Sequence, residues 1–389
     1  MNLLFDFITL QDSVINGGME YTKRVLFDLL EKPNLKIYGL YTKKKEIPLY
    51  LHKIINEKKI DLVELNNNIN DNILKFKIDK LYIGISQRYN LMDLSILNCE
   101  VIITCHDVGD LSQLYDQNFK SKQRNNFIIQ GKKSRTSNLI KKILIPYVYK
   151  SKSKKSILKD YNYFSKLITK QNVHIITDSQ YTKYALLYFF NNIFNEIKVF
   201  YCPEKIINVN LIGMSNKSNI SLLIKNKKYF LLLNIDRQNK NAALLYEVWE
   251  KFCIMTNYQY YAVFIGKLGV QLKNIIQLDY VDTIDLEFLY KNAFSLIYPS
   301  VSEGFGYPPI EIMKYDVPVI ASNVTSIPEV LGNKVLSFSP FYPEDLFRCL
   351  MLLVNNYDFY KANVSGVYQV IKKKQNDDYE KMINYICKE

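Results

Sequence analysis

Two glutamates flank a glycine-containing loop in the last third of the chain, within Pro299–Gly332. Glu303 follows the apolar run AFSLIYPS, a short unbroken pattern that predicts a buried parallel strand. A Pro-Pro pair shortly after Gly306 is typical of a first helical turn, where a missing N–H is tolerated, and it would place Glu311 in that turn. Both carboxylates are therefore expected at the carboxyl end of a strand, where open α/β sheets bind ligands.

The loop and the helix start suit a ligand that carries both phosphate and hydroxyl groups. Free backbone N–H groups at a helix N-terminus attract phosphate, and glycines let a ligand approach the main chain closely. An ionised carboxylate only accepts hydrogen bonds, so the natural partners of Glu303 and Glu311 are hydroxyl groups, as in a sugar nucleotide. The alternative is an ordinary strand, turn and helix whose acidic residues favour the helix dipole. Spacing alone leaves both interpretations open.

Length and hydrophobic patterning predict that two α/β domains position these residues. At 389 residues the chain is too long for one ordinary core. Apolar runs such as VIITC, YFLLLNI and PVIAS alternate with longer amphipathic segments, which is the pattern of βαβ units and doubly wound sheets. The polar stretch between Pro203 and Lys228 lacks a clear period and is expected to contain the domain break.

Several stretches resemble the landmarks of glycosyltransferase family 4, the retaining enzymes with a GT-B fold. EGFGYPPIEIM and VPVIASNVTSIPEVLG resemble the donor-site motif, and AVFIGK, ITCHDV and HIITDSQYTKYAL resemble landmarks further upstream. The resemblance implies two doubly wound Rossmann-like domains with an interdomain cleft. It assigns residues 1–205 to the acceptor side and residues 206–373 to donor binding. It also implies that a C-terminal helix, 374–389, returns to the first domain.

Members of this family hold the donor diphosphate without a metal ion, and no Asp-x-Asp occurs in this sequence. The resemblance implies that Glu303 holds donor sugar hydroxyls and that Glu311 holds the ribose. Lys240 and Arg237, with the backbone amides from Gly304 to Tyr307, would stabilise the leaving diphosphate. The alternative for each cation is an exposed loop residue. Further donor-binding candidates implied by the resemblance are Gly266, Lys267, Tyr280, Val281, Phe305 and Gly306.

The N-terminal half supplies a second group of candidates. His106 follows the apolar strand VIITC, and its resemblance to the family's His-Asp pair implies a role near the donor sugar. A lone histidine at a strand end is otherwise a structural residue, as His52 and His174 are interpreted. Gly17 and Gly18 lie between a predicted strand and the predicted helix MEYTKRVLFDLL, so their N–H groups could meet the donor diphosphate or the acceptor.

The positive charge of the chain is concentrated in one segment. The net charge is +13, and residues 120–170 hold fifteen Lys or Arg against one acid, Asp160. Apolar and aromatic residues interleave these cations, as in an interfacial helix on anionic lipid. Three interpretations are open: a solvated insertion, docking on an anionic membrane near a lipid-linked acceptor, and nucleic-acid binding, which is not expected because no recognition motif accompanies the charge.

Compartment signals point to the cytoplasm. Six scattered cysteines without a CxxC pair favour a reducing environment with buried thiols. No apolar run reaches the ~20 residues of a spanning helix. The first residues are predicted to form a strand rather than a signal peptide. The protein is therefore expected in the cytoplasm. The basic segment favours peripheral attachment to the inner face of the membrane.

The sequence and the resemblance together predict a retaining glycosyltransferase. It would move a hexose-type sugar from a nucleoside diphosphate sugar to an acceptor hydroxyl, in surface polysaccharide or lipid-linked glycan synthesis. No cofactor is expected beyond that donor, which is a co-substrate. Two alternatives come from other classes: a GT-B binding subunit that has lost transfer, and a basic adaptor at the membrane surface.

Overall fold

The chain folds into two compact units. The computed structural model describes residues 1–12, 17–66, 68–86, 94, 97–108, 111, 158–205, 217–266 and 272–388. Unit 1 comprises Met1–Leu111, Ser156–Ile206 and Lys372–Glu389, and unit 2 includes Ile207–Ile371. Positions 120–157 of the predicted basic insertion lie outside the described residues. Residues 158–167, which follow, are helical.

Unit 1 is a doubly wound α/β unit with a parallel sheet. Its seven strands are β1 (Asn2–Asp6), β2 (Lys36–Tyr41), β3 (Asp61–Glu64), β4 (Lys80–Ile83), β5 (Glu100–Cys105), β6 (Val173–Thr177) and β7 (Lys198–Val199). They pair in the order β3-β2-β1-β4-β5-β6-β7, with every ladder parallel. Its labelled helices are α1 (Phe7–Leu10), α2 (Gly17–Leu30), α3 (Leu49–Lys58), α4 (Ile69–Lys75) and α5 (Gln180–Phe189). Helices joining successive parallel strands are what the βαβ pattern of the sequence predicts.

Unit 2 contains a second parallel sheet. Its strands are β8 (Lys228–Leu232), β9 (Tyr260–Ile265), β10 (Ile275–Leu278), β11 (Ser295–Tyr298), β12 (Val319–Ser322) and β13 (Leu336–Phe338). Its helices are α6 (Lys217–Ile224), α7 (Ala243–Met255), α8 (Thr283–Asn292), α9 (Tyr307–Met313), α10 (Ile327–Leu331) and α11 (Pro343–Asn355). The strand order is β10-β9-β8-β11-β12-β13, so the winding direction reverses between β8 and β11. That reversal is the point where doubly wound sheets bind ligands.

Apolar burial fixes the strands that carry the candidate site. The predicted strand in AFSLIYPS is confirmed as β11, whose four residues are all buried. On β8, the ring of Phe230 lies 5.3 to 6.2 Å from four other aromatic rings, including those of Trp249 and Phe252 on α7. Burying one such side chain contributes roughly 1.5–3 kcal/mol. The loop from β8 to α7 is therefore anchored at both of its ends.

A 31-residue helix, α12 (Tyr357–Cys387), ends the described chain. Its residues from Lys372 onward belong to unit 1, whereas those before belong to unit 2. Within unit 1, Gln375 Nε2 donates to the carbonyl of Cys202 at 2.6 Å, and the buried Met382 sulfur accepts from Tyr21 Oη at 3.0 Å. The predicted C-terminal helix is thus present, and it begins well before the segment from which it was predicted. Among the described residues, no helix combines the length and the apolar character needed to span a bilayer.

Candidate functional site

A buried ion pair forms the centre of the candidate site in unit 2. Lys240 Nζ lies 2.5 Å from Glu303 Oε1, and their side chains are only 10% and 13% exposed. Lys240 Nζ also donates to Tyr298 Oη at 3.0 Å, and Ser300 Oγ donates to the same oxygen of Glu303. Two charges removed from water need this kind of support, because their mutual attraction alone does not offset desolvation. The cluster therefore holds one cation and one anion in fixed positions.

Strand topology explains why residues far apart in sequence meet here. β8 and β11 are neighbours in the sheet, with Ser295 opposite Phe230. Lys240 ends the short 3₁₀ turn Gln238–Lys240 that follows β8, and Glu303 lies in the loop that follows β11. Parallel strands end at the same edge of a sheet, so the two loops emerge side by side at the reversal point.

Hydrogen bonds that involve the main chain join the two loops to each other and to the segment after β12. The N–H of Val301 donates to the carbonyl of Asn239 at 2.8 Å, and Asn239 Nδ2 donates to the carbonyl of Ser302 at 3.0 Å. Ser326 Oγ donates to the carbonyl of Glu303 at 3.0 Å. A site whose groups are held this way does not have to be reorganised when charge develops in a bound ligand.

Tyr298 is a buried phenol that contacts both charges. Burial, followed by the charge of Glu303 and a hydrogen bond to it, raises the pKa of Tyr298 well above its usual value. The phenol therefore stays neutral, accepts from Lys240 and donates to Glu303. In the sequence Tyr298 is recognisable only as part of the predicted strand, but as the last residue of β11 it lies at the edge of the sheet where ligands bind.

The glycine-containing loop and the start of the helix after it agree in part with what the sequence predicted. Gly306 has φ 91°, a left-handed conformation that favours glycine, and α9 begins at Tyr307 with its prolines in the first turn. The prediction that Glu311 lies in that turn is wrong, because no acidic residue does. The helix starts one residue earlier than the prolines, which moves Glu311 to its fifth position. There its carboxylate accepts from Tyr290 Oη at 2.9 Å.

The other donor-binding candidates of unit 2 lie in several different loops. Gly304 is half-buried and Phe305 is buried beside Glu303. Gly266 directly follows β9 with φ 120°, and a Cβ there would come within 2.9 Å of a side-chain oxygen, so the position needs glycine. Tyr280 is 81% exposed and Val281 half-buried, both in the loop before α8. The remaining candidate, Lys267, lies outside the described residues.

Arg237 is not part of the buried cluster. Its side chain is exposed, and within the described parts of the chain its guanidinium makes no ion pair. Its backbone, however, belongs to the turn that positions Lys240, since its carbonyl accepts from the Lys240 N–H at 3.0 Å. The structure thus brings one of the two predicted cations together with Glu303 and leaves the other in solvent.

In unit 1, His106 is held between two oxygen acceptors. Its Nδ1 lies 2.9 Å from Asp178 Oδ2, and its Nε2 lies 3.0 Å from the carbonyl of Gly84. Burial lowers the pKa of His106, but the hydrogen bond and charge of Asp178 outweigh it, so the pKa is raised above 6.5. The imidazolium form, which donates through both nitrogens, satisfies both acceptors. His106 follows β5, as predicted.

Asp178 is a residue to which sequence analysis gave no role. A signal was present, because β5 and β6 pair in parallel with Cys105 opposite Thr177, so the next residue of each strand must also meet. The potential ligand atoms of His106, Asp178 and Cys202 lie within 4.8 Å of one another, close enough to bind one metal ion together. Both nitrogens of His106 already face oxygen acceptors, so hydrogen bonding accounts for this cluster.

Gly17 and Gly18 are the first two residues of α2, not a loop before it. The helix was predicted to begin at the following methionine, so it begins two residues earlier than predicted. Glycine carries a free-energy penalty in a helix interior. That penalty has little force in the first turn, where the N–H groups lack intrahelical acceptors in any case. The amides of both glycines therefore belong to the group of helix N–H donors without a helical partner.

The raised pKa of His106 predicts how stability depends on pH. A histidine whose pKa is raised in the folded state contributes stability that is complete below its unfolded pKa of 6.5 and is lost as the pH rises through the folded value. Asp178→Asn removes the charge that raises this pKa. Urea unfolding between about pH 6 and about pH 8.5 should show a steeper loss of stability with pH in the wild type than in Asp178→Asn. Parallel curves would show that Asp178 does not govern His106.

Comparisons with known proteins relate unit 2 to the glycosyl transferases. Residues 214–369, which include Lys240 and Glu303, match the family model of glycosyl transferases group 1. The O-antigen chain mannosyltransferase RfbU of Salmonella typhimurium is 29% identical over 189 residues, which are 46% of this chain and 50% of that protein. O-antigen chain mannosyltransferase B of Escherichia coli is 34% identical over 125 residues, 29% of this chain and 33% of that protein. The chain thus spans about half the length of the first relative and a third of the second.

Solved structures resemble the chain over its whole length. HepE from Anabaena, solved with UDP-glucose, has a TM-score of 0.61 at 13% identity and covers 100% of this chain and 98% of its own. A glycosyltransferase from Rickettsia africae has a TM-score of 0.62 at 15% identity, covering 100% and 98%. WaaG, a glycosyltransferase involved in lipopolysaccharide biosynthesis, has 0.60 at 10% identity, covering 100% of both chains. At such identities the likeness establishes the fold, and the predicted GT-B fold with two Rossmann-like sheets is confirmed.

Proposed function

We propose that this protein is a glycosyltransferase that moves a sugar from a nucleoside diphosphate sugar to an acceptor hydroxyl. The observation that carries the proposal is the buried pair of Lys240 and Glu303 at the reversal point of the unit 2 sheet. A nucleotide sugar needs a cation beside its diphosphate and an acceptor of hydrogen bonds beside its sugar hydroxyls. The pair supplies both within one hydrogen-bonded cluster. Its place inside the matched family segment supports the same conclusion.

Lys240 acts on the negative charge that develops as the sugar leaves the diphosphate. A preorganised donor aimed at developing charge is usually the largest single contribution to such a reaction. The amides from Gly304 to Tyr307, and Arg237 from the rim, add further positive potential. The diphosphate is balanced in this way by protein groups rather than by a metal ion. Glu303 accepts hydrogen bonds from the donor sugar, and Glu311 does so from the ribose.

The transfer proceeds with retention of configuration. The acceptor hydroxyl attacks from the face that the diphosphate leaves, and the leaving phosphate oxygen takes the acceptor proton. One glycosidic bond forms as the sugar–phosphate bond breaks, so no covalent enzyme intermediate is required. In unit 1, His106 is assigned to the donor sugar, and the amides of Gly17 and Gly18 are assigned to the diphosphate or the acceptor.

The acceptor belongs to surface polysaccharide or lipid-linked glycan synthesis. The two curated relatives carry the names of O-antigen chain mannosyltransferases, which supports this class of acceptor. The enzyme works in the cytoplasm, at the inner face of the membrane. Basic residues 120–170 give it an anionic membrane surface as a partner, because their positive charge is matched by anionic headgroups.

Donor turnover by the purified 389-residue chain tests the proposal. The chain is incubated with UDP- and GDP-hexoses, with and without membranes that carry lipid-linked glycans, and release of the nucleoside diphosphate is followed. At least one donor should be consumed faster with acceptor present, and NMR of the product should show the anomeric configuration of the donor. Tight binding of a donor with no turnover under any condition would instead identify a binding subunit.

A further inference from the structure

The solvent-facing side of α5 in unit 1 is apolar. Tyr184, Leu187 and Tyr188 are 63%, 41% and 64% exposed, whereas Thr182 and Leu186 of the same helix are fully buried. Positions 184, 187 and 188 are spaced by three and four residues, so they lie on one side of the helix. A surface helix ordinarily presents polar residues to water. This helix therefore has an apolar face on both its inner and its outer side.

The exposed apolar surface continues onto the helical stretch 158–167. The ring of Tyr161 stacks on that of Phe190, the residue that follows α5, with a centroid distance of 5.2 Å. Leu158 lies one helical turn before Tyr161, and the N–H of Phe194 donates to the carbonyl of Ile168 at 2.8 Å. We call the exposed side chains the aromatic patch, which comprises Leu158, Tyr161, Tyr184, Leu187, Tyr188 and Phe194.

Lysines outnumber acids on the two helical segments that carry the aromatic patch. Lys159, Lys166 and Lys170 are exposed, Lys183 precedes Tyr184, and Asp160 is the acid between Leu158 and Tyr161. The acid Glu196 keeps its negative charge, because the hydrogen bond from Lys198 at 2.5 Å lowers the pKa of its carboxyl group, and Lys198 balances that charge. Cations thus lie on the same two helical segments as the patch.

We infer that the aromatic patch docks unit 1 on an anionic lipid bilayer. Tyrosine rings and leucines enter the boundary between headgroups and acyl chains, while lysines around them contact anionic headgroups. Protein interfaces are also enriched in tyrosine, but they are depleted in lysine, so the composition favours lipid over a protein partner. This inference rests on the membrane partner of the proposed function and deepens it by naming the described side chains of unit 1 that enter the bilayer. Its test measures lipid binding, so it can fail or succeed separately from the transferase activity.

Vesicle sedimentation with the whole chain tests the inference. The chain should bind phosphatidylcholine vesicles that contain phosphatidylglycerol and bind pure phosphatidylcholine weakly. The variant Tyr184→Ser/Leu187→Ser/Tyr188→Ser should lower the partition coefficient by about tenfold or more, because it removes the inserting side chains. A matched control, Ile254→Ser/Tyr342→Ser/Phe359→Ser, changes unit 2 side chains of 57%, 62% and 66% exposure and should bind as the wild type does. Equal loss in both variants would overturn the inference.

The contribution of the lysines to vesicle binding and the depth to which the patch enters the bilayer are measured in separate experiments. Lys159→Gln/Lys183→Gln should weaken binding to the anionic vesicles by about fivefold per lysine and leave neutral vesicles unaffected. Tyr188→Trp should be quenched by lipids brominated in their acyl chains, against the background of Trp249, which is only 1% exposed. Bound protein whose new tryptophan escapes quenching would contradict the inference. So would a lipid-free dimer that the serine variant dissociates, since the patch would then bind a second copy.

Discussion

Replacing Lys240 by alanine is expected to lower kcat/KM for donor turnover by about 100- to 1,000-fold, the usual cost of losing one donor aimed at developing charge. The Lys240 ammonium is largely buried, so bulk water cannot take over its interaction with the diphosphate when the side chain is removed. The measurement is the initial rate of nucleoside diphosphate release, with the best donor and acceptor, at a temperature below the melting point of the variant. Circular dichroism must show the same fold.

The partner of the removed cation needs its own control. Without Lys240, Glu303 is a largely buried and unpaired charge, which is strongly destabilising in general. Lys240→Met/Glu303→Gln removes both charges and should recover stability without recovering turnover. Lys334→Ala, an exposed lysine elsewhere in unit 2, should leave the rate unchanged. A folded Lys240→Ala variant with near wild-type turnover would refute the role of this cation.

Glu303→Gln and Glu311→Gln are expected to differ in which kinetic constant they change. Glu303 belongs to the buried cluster with Lys240 and is assigned to the reacting sugar, so its neutral isostere should lower kcat by about 100-fold. Glu311, on α9 and bonded to Tyr290, is assigned to the ribose, which does not react. Its loss should raise KM by about 10-fold with little change in kcat, as for an interaction equally strong in ground and transition states.

The same pair of variants contains its own control, because both replace one carboxylate by one amide in the same unit. Steady-state kinetics over a range of donor concentrations gives the two constants for each. A result in which Glu311→Gln lowers kcat and Glu303→Gln raises only KM would reverse the assigned roles. Equal effects of both on both constants would show that the carboxylates act on the fold rather than on the donor.

Local patterns predicted the strands and the loops of unit 2. The unbroken apolar run before Glu303 became β11, and the glycine and proline residues after it became a left-handed cap and a first helical turn. These features depend on a few adjacent residues, so sequence contains them directly. Helix boundaries were less accurate: Glu311 moved out of the first turn and Gly17 into one, because a shift of one residue costs little free energy.

Long-range contacts could not be obtained from the same patterns. Lys240 and Glu303 are 63 residues apart, and their contact depends on the adjacency of β8 and β11, which a list of strands leaves open. His106 and Asp178 meet for the same reason, through the register of β5 and β6. The aromatic patch was also missed. The segment YALLYF is apolar on every side of the helix. The sequence alone therefore cannot show which apolar side chains face the core and which face solvent.

Isothermal titration of the intact chain with nucleoside diphosphates tests the central claim, that the Lys240 and Glu303 cluster of unit 2 binds the donor diphosphate. One-to-one binding of uridine or guanosine diphosphate by the wild type is expected. Lys240→Ala should weaken this binding by about 10- to 100-fold, the worth of a hydrogen bond to a charged group. Absence of binding to the folded wild type, or equal affinity in wild type and Lys240→Ala, would show that the cluster does not bind the diphosphate.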